Sequence, residues 1–508
     1  MKKNKIIALD ELSALVSKYK KSGKKVVHCH GVFDLMHIGH IKHFSEAKNQ
    51  GDILIVTLTP DEYVNKGPNR PAFSIQHRLE SIASLEDVDL VAENKWPTAE
   101  KTLSLIKPDI YFKGPDYKNY KDDITGNIKR EVEAVKKCGG KIMYSDDETF
   151  SSSNLLNKYS DIFTKEQKDF ISKISQSSKD SSIENILDSF KDKKVLVIGE
   201  TIIDEYVFCE GLGKSGKESM LVLRELESSI FLGGASAVAN HLADFCKRVD
   251  LVSCIGAKKE FKNFISSNLL PNIKAKYLYK EESPTILKKR FLDKNSKNKV
   301  LGVYSLNDDN LNFNQEKELK KILSDKIKDF DLVIVVDYGH GFINENISKF
   351  ISKNSNFLSL NAQINSSNSG FHSFNKYPKC NSVVINESEL RHEMRSREGN
   401  LENLMVSLSK NLSSQFVVVT RGTQGAIIYN KKSKKFKQCP AFASRIVDKV
   451  GSGDAMLPII SLALEENIDE NLSLLLGSLA AAQSVESISN SKRVSKQEIL
   501  KTFHHALK

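Results

Sequence analysis

Two separate series of short β-branched runs, each alternating with stretches of helical spacing, constrain this chain more than any other feature. The first runs from KKVVHCH at Lys24 through DILIVTLT, VDLVA and PDIYFKG to KIMYS, with IGHIKHFSEAKNQ and SIQHRLESIASL between the runs. The second starts with KKVLVIGE at Lys193 and continues through VDLVSCIGA, DFDLVIVVDYG, NSVVIN and QFVVVTRG to a helix-rich C-terminus. Such alternation is the pattern of parallel α/β units, with helices covering both faces of a sheet. It breaks once, at the Ser- and Lys-rich stretch containing ISKISQSSKDSS. The pattern predicts an α/β domain over residues 1–156, a helical linker over 157–192 and a larger α/β domain over 193–508. At 508 residues the chain is long enough for each domain to bury its own core. No internal repeat links the halves, so they are expected to do different jobs.

Lys and Arg number 75 against 64 Asp and Glu, a formal net charge of +11. That excess favours phosphorylated partners such as nucleotides and sugar phosphates. The basic clusters KKSKKFK and KEQKDFISK carry little aromatic interleaving and no RNA or DNA motif, so they read as solvated surface and nucleic acid is not expected as a partner. The seven cysteines are scattered with no CxxC pair, as expected of thiols in a reducing cytoplasm. The N-terminus has no apolar signal region, and LSLLLGSLAAAQSV falls short of the roughly 20 residues a membrane span needs. A cytoplasmic protein with no membrane partner is expected.

The strand VVHCH runs into GVFDLMHIGHIKHF, where Gly31 permits a sharp turn. His37 and His40 stand three apart at a helix start, so both rings can face one spot beside free N–H groups that suit a phosphate. Two imidazoles there can stabilise charge on a pentacoordinate phosphorus. Taken alone, the pair also reads as a surface accident or half a metal site. With GVFD ahead of it, HIGH resembles the HxGH nucleotidyltransferases, the superfamily of glycerol-phosphate cytidylyltransferases and heptose-phosphate adenylyltransferases. The resemblance implies a Rossmann-like fold and about 130 residues in register. It assigns Gly31, Phe33 and Asp34 to the nucleotide, and it implies phosphate contacts for Lys66 and Arg70 in NKGPNRP and for Arg78 in QHRLE. KPDIYFKGPDY resembles the heptose-phosphate branch and would bring Lys113 and Asp116 near a sugar phosphate, while TFSSSNLL would cradle phosphates with Ser151, Ser152 and Ser153. The acidic DDETF replaces the arginine-containing lead-in of cytidylyltransferases, which weakens CTP as substrate without establishing ATP.

In IVDKVGSGDAML, Gly451, Ser452 and Gly453 can bring backbone N–H groups onto a transferring phosphoryl oxygen, and Asp454 can take a proton from an attacking hydroxyl. As a bare string, GxGD is a common turn. In context it resembles the second signature of the ribokinase (PfkB) family of carbohydrate kinases. KVLVIGETIIDEYV resembles that family's opening strand, with Asp204 toward sugar hydroxyls, and LGGASAVANHLADF its first signature, through Gly233, Gly234, Val238 and Ala239. VVDYGHG matches the family's DYxxG segment. INESELR gives Asn386 and Glu389 the NxxE spacing associated with Mg²⁺ and phosphate, and VVVTRGTQGA gives Thr420, Gly422 and Gly425 near the nucleotide. The resemblance implies an α/β sandwich with a small β lid, expected at 203–232 and 284–305, through which such domains often dimerise. Ala237 and His241 stand where the family has asparagines, and SLNAQINSSNSGFH replaces its DPK segment. These departures are expected on the acceptor side, with Asn361, Gln363 and Asn365 either lining that pocket or forming a plain polar loop.

The two resemblances together point to the bifunctional heptose-phosphate kinase/nucleotidyltransferases, with the transferase placed first. They imply phosphorylation of a sugar phosphate at its anomeric hydroxyl, then nucleotidyl transfer from ATP to the 1-phosphate, for surface-glycan or lipopolysaccharide assembly. A CTP-dependent transferase joined to a kinase for another sugar or polyol is the alternative. A non-catalytic, sugar-binding C-terminal half is a third reading, against which the intact GSGD and NxxE stand.

Overall fold

The computed structural model describes residues 5–64, 70–114, 127–145, 163–177, 183–324, 326–365, 367–368, 370 and 372–506. It divides into two compact units, Met1–Ile162 and Phe163–Leu507.

In the first unit, β1 (Val26–Gly31), β2 (Ile53–Leu58), β3 (Leu90–Glu93), β4 (Ile110–Lys113) and β5 (Lys141–Tyr144) form a sheet. All pairs are parallel and the order is β3-β2-β1-β4-β5. Period-2 alternation sends Val27, Cys29, Leu54 and Val56 to one face, where they pack with Phe44, Leu79 and Ile82 from helices Ile38–Lys48 and Ile75–Ala83. Val26, Ile53 and Ile55 go to the other face, under Leu9, Leu12 and Val16 of helix Leu9–Lys21. Trp96 packs into this second layer. The winding direction reverses between β1 and β4, and in open parallel sheets the crevice at such a reversal is where ligands bind. GVFDLMHIGH leaves the C-terminal end of β1 at that point.

The second unit is organised by one long strand, β6 (Val195–Lys214). Its first half pairs in parallel with β8 (Val249–Gly256) and β12 (Leu332–Asp337). From Ile202 onward it pairs with β7 (Leu221–Gly233) and β10 (Ile286–Asp293), and β10 pairs with β11 (Lys299–Ser305). β7, β6, β10 and β11 thus make the expected lid. The main sheet continues past β12 through β13 (Phe357–Ala362), β14 (Ser382–Asn386) and β15 (Phe416–Thr420), with β9 (Ile273–Lys280) outside β8. β16 (Ala426–Asn430) and β17 (Lys435–Cys439) close the far edge antiparallel. Two α/β units with largely parallel sheets are the architecture expected.

Helices Ser452–Glu465 and Glu470–Val485 are buried on nearly every face, which accounts for the apolar run LSLLLGSLAAAQSV as core. Among the described residues, no helix is long and apolar enough to cross a membrane. All seven cysteines are free and six are buried. Within the stretch expected as a linker, Lys165–Ser177 and Ile183–Ser189 are helices of the second unit, and both pack against helix Lys496–Ala506.

Candidate active sites

The site in the first unit is built where β1 meets the next helix. Phe33 takes the left-handed backbone conformation (φ 47°), which folds its ring back under Gly31. A Cβ on Gly31 would lie 2.9 Å from that ring, which would have to shift to admit one. The Phe33 ring meets His40 edge-on at 5.4 Å and Phe44 at 5.0 Å, fixing where the helix starts. His37 caps that helix, its Nδ1 accepting the Gly39 N–H at 3.1 Å. The cap therefore leaves Nε2 to carry the ring proton. The rings of His37 and His40 lie 3.9 Å apart, so the two imidazoles meet beside the helix's free N–H groups as the spacing predicts.

Around this pair, Asp34 is buried and accepts from Arg70 Nε at 2.5 Å and from the Phe73 N–H at 3.1 Å. Arg70 Nη2 is buried with no hydrogen-bond partner among the described residues, a donor suited to an anion. Arg78, expected at a phosphate, is instead bonded within the protein. Its side chain is out of solvent and donates to the carbonyls of Val32, Thr59 and Phe73 and to Asp61 Oδ1. Arg78 pins three loop segments together, with four of its five N–H groups engaged. Lys113 on β4 is buried against Glu131 at 3.2 Å. Burial, with the Lys113 charge adding to it, pushes His43 down to about 4, so that ring is neutral at pH 7. Lys66, Asp116, Ser151, Ser152 and Ser153 lie outside the described residues.

In the second unit two cavities meet. The larger, of ≈ 1640 Å³, is lined by Thr420, Gly422 and Gly425, among others. The smaller, of ≈ 340 Å³, lies under the lid and holds Asp204, Gly234, Glu389, Gly451 and Asp454. Asn386, Thr420, Lys449, Ser452 and Gly453 line both. Gly451 is left-handed (φ 92°), and a Cβ there would lie 2.3 Å from Asn490 Oδ1. The turn starts helix Ser452–Glu465 with its free N–H groups at the junction of the cavities.

Asp454, in the first turn of that helix, accepts from the Tyr338 hydroxyl at 2.8 Å. Burial pushes its carboxyl up to about 6, while the Tyr338 hydroxyl pulls it back and Asp204 pushes it further. Asn386 and Glu389 form a reciprocal cap, Asn386 Oδ1 accepting the Glu389 N–H at 2.8 Å and Glu389 Oε2 the Asn386 N–H at 3.1 Å. Burial pushes Glu389 up to about 7. A buried carboxylate facing the junction suits Mg²⁺, which takes one or two carboxylates and fills its remaining positions with water and phosphate oxygens. No cluster of three or more His, Cys, Asp or Glu ligands occurs among the described residues, so phosphate oxygens and water would supply most of the shell.

Asp204 is paired with Arg290, and Gly233 and Gly234 pack against Asp204 and Glu200. Lys288 is buried in the smaller cavity, 5.3 Å from the Tyr338 ring centroid. Sequence reasoning missed Lys288, Arg290 and Tyr338. The alternation of Lys288 and Arg290 in TILKKRF, inside the expected lid, was the available signal, since residues two apart on a strand share a face. Asn361 and Gln363 line the smaller cavity, whereas Asn365 holds the Tyr338 carbonyl at 3.0 Å. The acceptor-side placement of Ala237 and His241 does not hold. Neither lines the smaller cavity, and His241 lies buried between the Val494 N–H and Asn490.

Residues 192–496 match the pfkB family of carbohydrate kinases and residues 28–172 the cytidylyltransferase-like family. The first match takes in more than half of the chain, which belongs to the pfkB carbohydrate kinase family. The bifunctional protein HldE of Sulfurimonas denitrificans is 41% identical over 138 residues, 27% of this chain and 29% of that protein. HldE of Campylobacter jejuni strain RM1221 is 27% identical over 299 residues, 58% of this chain and 61% of that protein. The chain thus spans less than two thirds of these relatives' lengths. Escherichia coli phosphofructokinase-2, solved with potassium, shares the fold of the second unit (TM-score 0.51, 14% identity, covering 62% of this chain and all of that one). A putative ribokinase from Agrobacterium tumefaciens does so too (TM-score 0.50, 16% identity, 62% and 99%).

Arg78→Ala strands three carbonyls and should destabilise the first unit by about 3 kcal/mol, read as a lowered unfolding midpoint in urea. An unchanged midpoint would return Arg78 to the list of ligand contacts. A second prediction concerns pH. A base works only as the carboxylate, so kinase kcat/KM should fall as pH drops through about 6, where Asp454 protonates. Tyr338→Phe removes the hydrogen bond that favours the charged form, and should move this acid limb up by roughly half a unit to one unit. A limb that stayed put in the variant would dissociate it from Asp454.

Proposed function

We propose that the chain is a bifunctional enzyme of nucleotide-sugar synthesis: an ATP-dependent kinase that phosphorylates a heptose 7-phosphate-like sugar at its anomeric hydroxyl, and a nucleotidyltransferase that joins the sugar 1-phosphate to ATP. The kinase yields the 1,7-bisphosphate and ADP, a separate phosphatase removes the 7-phosphate, and the transferase then yields ADP-heptose and pyrophosphate. The observation that carries the kinase half is the shared wall of the two cavities. A donor nucleotide in the larger one and an acceptor in the smaller one would meet at Ser452, Gly453 and Asp454.

In the kinase step Asp454 takes the proton of the anomeric hydroxyl, whose oxygen attacks the γ-phosphorus as ADP departs in line. The N–H groups of Gly451, Ser452 and Gly453 hold the phosphoryl oxygens, and Thr420, Gly422 and Gly425 flank the donor. Asn386 and Glu389 would hold Mg²⁺, which neutralises phosphate charge when bound. Lys288 and Arg290 give the acceptor cavity two cations against Asp204, which supports an acceptor that is itself phosphorylated. In the transferase step an oxygen of the sugar 1-phosphate attacks the α-phosphorus and pyrophosphate leaves. His37 and His40 stabilise the equatorial charge, with Arg70 as a further donor.

The similarity to HldE proteins supports the heptose assignment. The apolar side chains on the outer lid, among them Leu212, Leu221, Leu301 and Val303, support association into a dimer. Seven unpaired cysteines support a reducing, cytoplasmic setting.

His40→Ala should lower pyrophosphate release by about 10²-fold or more while ADP formation from the 7-phosphate persists, and Asp454→Asn should do the reverse. Both activities are measured on D-glycero-D-manno-heptose phosphates with Mg²⁺, with ATP and CTP tested separately in the transferase assay. Turnover with CTP alone would make the product a CDP-sugar. Loss of both activities in either variant would overturn the two-site reading.

A further inference from the structure

The larger cavity of the second unit is not closed by the kinase-family residues alone. Thr164, Glu166 and Gln167 line it, although the kinase-family match begins only at residue 192. They lie instead within the stretch matched to the cytidylyltransferase-like family, which runs to residue 172. Their place in the second unit is fixed by bonding. Thr164 and Gln167 cap the helix Lys165–Ser177 reciprocally, the Thr164 N–H donating to Gln167 Oε1 at 2.7 Å and the Gln167 N–H to Thr164 Oγ1 at 3.3 Å. The cap orients Gln167 Nε2, which donates to the carbonyl of Ala441 at 2.5 Å. Phe163, itself buried, meets Phe442 edge-on at 6.1 Å. On its other side the same strap is held by Ser478 Oγ, which donates to the Pro440 carbonyl at 3.1 Å.

The cavity's wall shared with the acceptor cavity is where phosphate must sit for transfer. The rest of its lining carries charged side chains such as Arg391 and Arg421 and also an apolar patch of Pro440, Phe442, Ala481 and Ala482, whose surfaces suit a flat base. The strap Pro440–Phe442 is part of this region, and Gln167 is what ties its middle carbonyl down.

We propose that the segment Phe163–Gln167 forms the base-side wall of the kinase donor pocket, with Gln167 as a positioning residue that sets the strap against the nucleobase. The donor site then includes residues from the end of the transferase-family stretch, and a kinase fragment cut to the family match would lack them. This rests on the reading of the larger cavity as the donor site, and the test separates the two.

The intact chain is titrated calorimetrically with Mg·ADP, in parallel with Ala482→Trp, which fills the apolar patch of the cavity lining. The binding component lost in Ala482→Trp belongs to this pocket. In Gln167→Ala that component should weaken about five-fold, consistent with one lost hydrogen bond. Competition by inorganic tripolyphosphate, which has no base and needs only the shared wall, should be unchanged. Gln167→Glu keeps the side-chain volume but sets a carboxylate against the Ala441 carbonyl, and it should behave alike, carrying the test if the alanine variant unfolds. ADP binding within two-fold of the parent would overturn the proposal, as would equal weakening of ADP and tripolyphosphate. If Ala482→Trp loses no component, the donor-pocket reading falls and the proposal falls with it.

Discussion

The second unit depends on two buried carboxylates on neighbouring strands, Glu200 where the first half of β6 ends and Asp337 at the C-terminal end of β12. Charges with no solvent are tolerated only when every oxygen is answered, and here the answers build the site. Glu200 accepts the N–H groups of Tyr338 and His340 at 3.0 and 3.1 Å. Asp337 takes Lys376 at 2.6 Å, the Tyr377 hydroxyl at 2.5 Å and the Gly339 N–H at 3.1 Å. Burial and the neighbouring Asp337 push Glu200 up. Asp337 is also pushed up by burial, but Lys376 and His372 outweigh this and hold it below the usual carboxylate range. One of the pair thus takes up the proton more readily, which relieves their repulsion. The turn DYGHG is pinned from beneath by this pair, and Tyr338 is delivered to Asp454 as a result.

The parts of the site that sequence reasoning located are those whose chemistry is local. HIGH after a strand and GSGD before an apolar helix each place their groups within one turn of backbone, so a short string fixes the geometry. Tyr338, Lys288 and Arg290 were not found because their role arises from strands far apart in sequence: β10 pairs with the second half of β6, and β12 with the first. The internal bonding of Arg78 is hidden from the sequence for a related reason. An arginine near a phosphate motif looks alike whether it faces a ligand or three backbone carbonyls, and only tertiary packing distinguishes the two. The fold itself was legible, because alternation of strand and helix periods survives without any knowledge of pairing. Helices 165–177 and 183–189 were read as helices, but spacing alone does not reveal what covers their apolar face.

The lid shows how one strand can serve two layers. β6 enters as a fully buried central strand and leaves as a lid strand, and its pairing changes hands at Thr201 and Ile202. The lid is therefore continuous with the core strand that carries Glu200, and the residues it sets in the smaller cavity, Lys288 and Arg290 of β10, pair in register with Asp204 and Tyr206 of β6. Lys299 of β11 and Tyr206 both reach Asp448, at 2.7 and 2.6 Å, three residues before Gly451. Lid and phosphate-binding turn are thereby tied through a single carboxylate.

The substitution of His241 for an expected asparagine is best understood from its hydrogen bonds. Burial pushes the ring down to about 4, so it is neutral, with one proton to place. Nδ1 accepts the Val494 N–H at 3.1 Å, so the proton is on Nε2, which points to Asn490 Oδ1 at 3.4 Å. Asn490 Oδ1 lies where a side chain on Gly451 would collide with it. The histidine thus supports the glycine turn from behind, holding in place the residue that keeps Gly451 a glycine. A change at this position acts on the smaller cavity only indirectly, through the glycine turn that forms part of its lining. The departure from the family's asparagine is therefore accounted for by packing behind the glycine turn, since His241 itself does not line the smaller cavity.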